Sequence, residues 1–234
     1  ISRNYKYLIN VLGADHTGYT KRITAAVNAL SDNKVKLDCK VCQLVKLYKN
    51  GKPFKMSKRA GDFISAQDLL KEVNKDSIRF MMLNRSNDVE IDFDFDKVLE
   101  KSKDNPVFYV QYSFARISSI FRTLKKDTNE KINLDLENFF LNENETKLLR
   151  KVFEWPKIIE IASTKYEPNK IPYYLYELAT LFHSYWSKGN KNENFKFIED
   201  GKIKKEETLA IIILVTVVIQ RGMEILGVSL PDRM

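Results

Sequence analysis

The first hundred residues combine two spacings of apolar positions. Residues 5–13 (YKYLINVLG) form a short apolar run ending at a glycine, which predicts a buried strand. Residues 17–31 place apolar side chains at helical spacing, which predicts a helix with one apolar face. The residues of that face are Ile23, Val27 and Leu30. Residues 35–48 are long and partly alternating, and they predict a second strand.

The strand, helix and strand in that order predict a βαβ-like unit and therefore an α/β sheet. Asn50-Gly51, just after the second strand, is a common hairpin signal. Ser65 and Asp68 have the spacing of a capping box, which predicts the start of a helix, with another helix near residues 75–85.

Beyond about residue 100 the apolar spacing is helical throughout. The predicted helices are 102–125, 143–165, 171–188 and 205–227. Four helices separated by polar loops indicate a bundle. The sequence therefore predicts an α/β part over residues 1–100 followed by an all-α part over 101–234. The longest apolar run, residues 209–219, is too short to cross a bilayer and indicates a buried helix, although its β-branched content also suits a strand.

Two of the predicted helices carry an apolar stripe with a second, aromatic stripe beside it. The first apolar stripe consists of Val107, Val110, Phe114, Ile117 and Phe121, and the second of Ile171, Leu175, Leu178, Phe182 and Tyr185. The neighbouring stripes are Tyr109, Tyr112 and Arg116 on one helix and Tyr176, His183 and Trp186 on the other. Aromatic rings with an arginine suit the stacking of unpaired RNA bases, while burial of both helix faces is the plainer alternative.

Charge and cysteine content narrow the classes of partner and site. The formal net charge of +8 favours a polyanionic partner, although mildly basic proteins are common. Cys39 and Cys42 lack the further ligands that a zinc site needs, so we expect two buried, reduced thiols in a cytoplasmic protein. Asp92, Asp94 and Asp96 are spaced as in a calcium loop, but Lys97 and Lys103 stand where that loop has Gly and Glu. No metal site is predicted.

Residues 39–61 contain seven basic residues and no acidic one. Mobile lysines on a loop suit the stabilisation of phosphate charge, and Ser57 can add a donor between Lys55 and Lys58. On charge alone, a solvated hairpin end is the favoured explanation of the same stretch.

The order of residues in this stretch adds information that charge does not. Lys55-Met56-Ser57-Lys58 resembles the K-M-S-K signature of class I aminoacyl-tRNA synthetases, and KMSKRAGDF resembles the arginyl-tRNA synthetase version. VLGADHTGY at residues 11–19 resembles the strand-to-helix turn that approaches the adenosine of ATP in that family. Asp76 to Arg79 are similar to the family's D-A-L-R tetrapeptide, with two substitutions. The helical half resembles the anticodon-binding bundle in stretches 104–120, 174–186 and 226–234.

The resemblance implies a fold, a reaction and a set of partners. It implies the C-terminal part of a Rossmann-like class I nucleotide-binding domain over residues 1–100 and an anticodon-binding helical bundle over 101–234. The implied enzyme activates arginine with ATP and Mg²⁺, transfers it to tRNA(Arg), and is cytoplasmic and monomeric.

The resemblance also implies roles for individual residues. Lys55 and Lys58 are the catalytic candidates, and they bind ATP together with Gly13, Asp15, His16, Met56 and Ser57. The residues expected to bind tRNA are Tyr109, Tyr112, Arg116 and Trp186.

One expected motif does not occur in the chain. Class I synthetases carry an H-I-G-H signature, and only Asp15-His16 resembles it here. We therefore expect the missing half of the site to lie upstream and the chain to be inactive alone. Two alternatives stay open at this point: a synthetase-derived tRNA-binding module without activation chemistry, and the cysteinyl enzyme, which would be expected to have metal-ligand cysteines and histidines.

Overall fold

The computed structural model describes residues 1–54, 65–126 and 140–234. The chain is mostly helical with small sheets, and it divides into two compact units. The first unit comprises Ile1–Phe63 and Arg85–Phe95. The second comprises Ile64–Asn84 and Asp96–Met234.

The first unit contains five strands and one α-helix among its described residues. In chain order they are β1 (Tyr7–Gly13), a 3-10 helix (Ala14–Tyr19), α1 (Thr20–Leu30), β2 (Lys36–Cys42), β3 (Val45–Lys49), β4 (Lys52–Pro53) and β5 (Ile91–Asp94). β1 and β2 pair in parallel, with Tyr7 opposite Lys36. β3 pairs in parallel with β5 and antiparallel with β4. The predicted β-helix-β unit is therefore present as β1, α1 and β2.

The prediction of a single strand over residues 35–48 is wrong, because this stretch forms β2 and β3, which belong to two different sheets. Asn87, more than 40 positions away, occupies the break. Its side-chain amide donates to the carbonyl oxygen of Val41 at 2.8 Å, and its own carbonyl accepts from the amide of Gln43 at 2.8 Å. These bonds satisfy backbone groups that would otherwise continue the ladder.

The first unit is also more exposed than its apolar pattern indicates. The prediction that β1 is buried is wrong, since its residues alternate between half-buried and exposed, and Val11 is 66% exposed. In α1 the side chains of Ile23 and Val27 are half-buried, but Leu30 is 76% exposed. Cys39 and Cys42 are free thiols as expected, although they are half-buried instead of buried.

The second unit is helical. Its helices are α2 (Ala66–Glu72), α3 (Lys75–Leu83), α4 (Phe95–Leu99, whose first residue falls in the first unit), α5 (Pro106–Leu124), α6 (Glu143–Phe153), α7 (Trp155–Thr164), α8 (Lys170–Gly189) and α9 (Glu206–Leu226). A 3-10 helix (Glu193–Phe195) and a hairpin of β6 (Ile198–Glu199) and β7 (Lys202–Ile203) lie between α8 and α9.

Local sequence signals explain several helix boundaries. The predicted capping box of Ser65 and Asp68 is confirmed at the start of α2. Asn142 and Glu145 form another at the start of α6. The predicted helix 143–165 is interrupted at Glu154, where α6 ends and α7 begins. Pro156 in the first turn of α7 accounts for the interruption, because proline has no amide to donate within a continuous helix.

The core of the bundle is built from the two predicted apolar stripes. Every residue of both stripes is buried, which confirms the predicted core faces of α5 and α8. One charged side chain lies within this interior: the Glu145 carboxylate is fully buried and accepts from the hydroxyls of Tyr185 at 2.8 Å and Thr208 at 2.5 Å. These hydrogen bonds offset the cost of removing the carboxylate from water.

The last helix, α9, confirms the prediction of a buried helix over residues 209–219. By length and composition it is apolar enough to cross a membrane, with a mean hydropathy of 2.1, but 56% of its most apolar window is buried inside the structure. Gly222 allows α9 to approach α8, because a Cβ at this position would lie 2.7 Å from Leu175 Cδ2. These features are those of the core helix of a bundle.

Candidate nucleotide turn and nucleic-acid interface

Gly13 ends β1 and leads into the 3-10 turn. Its φ of −73° is accessible to any residue. A Cβ at this position, however, would lie only 2.6 Å from Asp15 Oδ1. The absence of a side chain therefore lets the Asp15 carboxylate fold back over the backbone.

The turn presents its polar side chains to solvent. His16 Nε2 lies 3.6 Å from Asp15 Oδ2, and the two side chains are 54% and 78% exposed. The His16 ring also lies 5.7 Å from that of Tyr19. The turn itself is held by Thr17, whose hydroxyl donates to the carbonyl oxygen of Ala14 at 2.7 Å. A backbone turn with exposed histidine and carboxylate groups can contact a ribose or an amino group of a bound ligand.

The other predicted ATP-binding residues lie outside the described part of the chain. These residues are Lys55, Met56, Ser57 and Lys58. Across residues 1–54, 65–126 and 140–234, no group of three or more His, Cys, Asp or Glu side chains could hold a metal ion.

In the bundle, the structure brings Tyr112 and Arg116 together with His183 of α8. Arg116 Nη2 donates to the Tyr112 hydroxyl at 3.1 Å, and its guanidinium carbon lies 4.3 Å from the centre of the Tyr112 ring. Arg116 Nη1 contacts His183 Nδ1 at 3.1 Å. The guanidinium is therefore fixed by two partners while Tyr112 and Arg116 stay partly exposed.

The hydrogen bonds of His183 fix its protonation state. Arginine can only donate, so Nδ1 must accept and the proton resides on Nε2, which donates to the carbonyl oxygen of Tyr109 at 3.1 Å. The pKa of His183 is lowered from 6.5 to about 4, mainly by burial; the hydrogen bond to Tyr109 opposes the shift and the nearby Arg116 charge adds to it. His183 is therefore a neutral support for Arg116 at physiological pH.

Tyr109 lies behind this cluster. Its ring centre is 4.3 Å from that of His183 and 5.4 Å from that of Tyr176. Burial, with a smaller contribution from Tyr176, raises the pKa of the Tyr109 phenol. Its packing indicates that Tyr109 supports the position of His183.

A groove of about 380 Å³ opens beside Tyr112 and Arg116. Its remaining lining residues are Ala115, Ser119, Arg122, Arg233 and Met234. The groove therefore combines one aromatic ring with three guanidinium groups, which suits an unpaired base and its phosphates. Arg122 also fixes one wall, because its Nη1 donates to the carbonyl oxygen of Asp232 at 3.0 Å.

Arg122, His183 and Arg233 are parts of this arrangement that sequence reasoning did not assign to the site. Arg122 and Ser119 lie on the helical face of α5 that already carries Arg116, so extending that stripe would have found them. Arg233 had no comparable signal, since it lies outside any helix and its place depends on the fold of the chain end.

Trp186 is not part of this cluster. Its ring packs edge-on against Phe197 at 5.5 Å and lies 6.4 Å from Phe182. It lines a separate concavity of about 210 Å³, together with Asn190 and Lys196. The predicted tRNA-binding residues thus occupy different settings: Tyr112 and Arg116 line the groove, Tyr109 packs behind it, and Trp186 lies elsewhere.

Comparison with known proteins gives consistent matches along the chain. Residues 110–234 match the DALR anticodon binding domain family. An arginine–tRNA ligase of Pelagibacter ubique is 54% identical over the whole chain, which spans 41% of the relative's length. A solved structure from Campylobacter jejuni, described as an arginyl-tRNA synthetase, superposes on the whole chain and on 49% of its own, with a TM-score of 0.85 and 30% identity.

A more distant structure shares the fold. The Thermus thermophilus arginyl-tRNA synthetase matches 98% of this chain and 41% of its own, with a TM-score of 0.71 and 20% identity. The chain thus spans about two fifths of the curated relative described above. The family match covers more than half of the chain and includes every residue that lines the groove. The chain therefore belongs to the DALR anticodon binding domain family and is, along its whole length, a relative of the arginine–tRNA ligases.

Proposed function

We propose that this chain is part of an arginine–tRNA ligase, which activates arginine with ATP and Mg²⁺ and transfers it to tRNA(Arg). The proposal rests above all on the similarity of the whole chain to part of an arginine–tRNA ligase. The parent enzyme is proposed to be cytoplasmic and monomeric. Residues 1–100 are proposed as the later part of a Rossmann-like catalytic domain, and residues 101–234 as the anticodon-binding bundle.

The groove beside Tyr112 and Arg116 is the proposed contact for the anticodon loop. The Tyr112 ring and the Arg116 guanidinium plane offer stacking surfaces for an unpaired base, while Arg122 and Arg233 bind phosphate. The orientation of Arg116 is set in advance by His183 and Tyr112, so little side-chain entropy is lost on binding. Tyr109 is proposed to support this surface and Trp186 to contact RNA separately.

In the activation step, Lys55 and Lys58 are proposed to stabilise the negative charge that develops on the phosphates, and Met56 and Ser57 to shape the loop. Gly13, Asp15 and His16 are proposed to bind the adenosine side of ATP. The exposure of the Asp15 and His16 side chains supports this role. Bound Mg²⁺ would neutralise phosphate charge.

The tRNA-binding role is tested by measuring the affinity of the chain for a hairpin RNA that carries the anticodon stem and loop of an arginine tRNA. Arg116→Ala should weaken binding by roughly tenfold, because it removes a fixed charge and a stacking surface. Affinity should also fall steeply with salt. The matched control is Arg150→Ala on α6, which lies outside the groove and should leave affinity nearly unchanged. Equal affinity of the Arg116→Ala and unmodified chains would contradict the assigned interface.

The catalytic role is tested by ATP–pyrophosphate exchange in the presence of arginine and tRNA. The chain is assayed alone and fused to the remaining part of the Pelagibacter ubique relative. We expect the fusion to catalyse exchange. Lys58→Ala in the fusion should abolish exchange and leave the tRNA affinity unchanged. Binding of tRNA without exchange by either protein would instead favour a tRNA-binding module without activation chemistry.

A further inference from the structure

Asp76 and Arg79 of α3 contact the segment that follows α9, here named the tail and comprising residues 227–234. Arg79 Nε donates to the carbonyl oxygen of Leu226 at 2.7 Å, at the end of α9 where helix carbonyls lack partners. The hydroxyl of Ser229 donates to Asp76 Oδ2 in a short hydrogen bond. These two α3 residues, three positions apart, therefore hold the start of the tail.

The path of the tail depends on Gly227. Its φ is +65°, a left-handed conformation that glycine adopts at helix ends. A Cβ at Gly227 would lie 2.9 Å from Arg79 Nε and 3.2 Å from its Cζ. Glycine thus provides both the turn and the space for the guanidinium group.

Gln111 of α5 joins the same contact. Its side-chain amide donates to the carbonyl oxygen of Ser229 at 2.9 Å and lies 3.4 Å from Asp76 Oδ2. Further along, Arg122 of α5 donates to the carbonyl oxygen of Asp232. The tail therefore runs along α5, attached near both ends of its path.

Burial alone holds the tail weakly. Val228 is buried and Leu230 is half-buried, whereas Ser229, Asp232 and the last two residues are exposed. The last two residues, Arg233 and Met234, nevertheless line the groove beside Tyr112 and Arg116. Their position therefore depends on the polar contacts of the tail, those with α3 and Gln111 near its start and that with Arg122 near its end.

We propose that Asp76 and Arg79 are positioning residues for RNA binding, which hold the tail along α5 so that Arg233 lies in the groove. The proposal rests on the tRNA-binding function proposed above and extends it to residues that line no part of the groove. Asp76 and Arg79 act through the tail, and Arg233 supplies the charge that meets a phosphate of the RNA.

The test measures the affinity of the 234-residue chain for the same anticodon hairpin at several salt concentrations, by fluorescence anisotropy. Arg233→Ala should weaken binding by roughly fivefold and lower the slope of log K against log salt by about one. The double variant Asp76→Ala/Arg79→Ala should produce a similar loss. Adding Arg233→Ala to the double variant should cause little further loss, because all three changes remove the same contact.

Two further variants separate positioning from general destabilisation. Ser229→Ala removes a single surface hydrogen bond and should weaken binding in the same direction with the bundle intact. Tyr174→Phe removes a buried hydrogen bond to the carbonyl oxygen of Lys151, away from the tail, and should lower stability without changing affinity. Folding of every variant is followed by the fluorescence of the bundle tryptophans.

The outcomes distinguish this proposal from the one on which it rests. If the unmodified chain does not bind the hairpin, the proposed function itself is contradicted; if Arg116→Ala leaves binding unchanged, the assigned interface is wrong and the positioning role falls with it. If binding depends on Arg116 but the folded double variant binds like the unmodified chain, only the positioning role falls. The positioning role would also be overturned if the loss of affinity in the double variant and that of Arg233→Ala added fully when combined.

Discussion

The neutral state of His183 makes the stability of the bundle depend on pH. Its folded pKa is about 4 because of burial, against an ordinary value of 6.5. Between these values the unfolded chain binds one more proton than the folded chain, so the free energy of unfolding falls as the pH is lowered through this range. Above pH 6.5 the ring is mostly neutral in both states, so His183 no longer lowers the free energy of unfolding.

The size of the effect follows from the size of the pKa shift. Each pH unit between the two pKa values changes the free energy of unfolding by about 1.4 kcal/mol. Lowering the pH from 8 to 5 crosses roughly 1.5 of these units, so the bundle should lose about 2 kcal/mol. His183 is 4% exposed, which leaves little solvent screening to reduce this value. Stopping at pH 5 keeps the measurement above the range in which most carboxylates titrate.

The assay is urea unfolding at a series of pH values, followed by tryptophan fluorescence. Both tryptophans of the chain, Trp155 and Trp186, lie in the helical unit, so the signal reports the bundle. His183→Gln keeps a side chain that can accept from Arg116 and donate to Tyr109, but it cannot titrate. This variant should lose most of the pH dependence between pH 8 and 5.

The matched control uses the only other histidine, His16, which lies in the other unit. His16→Gln should leave the pH dependence of the bundle unchanged. An unaltered pH dependence in the His183→Gln variant would refute the argument that burial of this ring links stability to pH.

Two further predictions concern stability, and both are measured by urea unfolding of the bundle. Gly227→Val should destabilise it by about 2 kcal/mol, because the left-handed backbone and the nearby Arg79 both exclude a branched side chain, whereas Gly227→Asn should cost clearly less. Equal losses for the two variants would contradict the backbone argument. Glu145→Ala should cost about 3 kcal/mol or more, because the hydroxyls of Tyr185 and Thr208 lose their buried acceptor; a loss below about 1 kcal/mol would show that they find other partners.

The helical unit was largely predictable because its information is local. The stripe from Val107 to Phe121 repeats at helical spacing, and each of its residues is buried as predicted. The spacing does not show which aromatic residues of the neighbouring stripe stay accessible. Tyr109 and Tyr112 are both half-buried and both pack against His183, yet only Tyr112 lines the groove, while Tyr109 packs against Tyr176 on α8.

Apart from the helix predicted over residues 143–165, which the local signal of Pro156 interrupts, the missing predictions concern contacts between distant residues. The break between β2 and β3 depends on Asn87, which no local pattern near residue 43 indicates. Arg233 lies in the groove because the tail is held by distant residues. Ser229 of the tail donates to Asp76, which lies 153 positions earlier in the sequence. Such contacts exist only once the helices are packed, so periodicity cannot identify them.

The capping box at the start of α6 has a consequence for local motion. The first turn of a helix usually frays, because its amides have no partners within the helix. Here Asn142 and Glu145 cap each other, and the same Glu145 carboxylate also accepts from side chains of α8 and α9. Opening this turn would therefore break bonds to two other helices at once. This helix end should therefore open only when the bundle itself opens. The amide hydrogens of Glu145 and Thr146 should then exchange with solvent almost as slowly as those of the core.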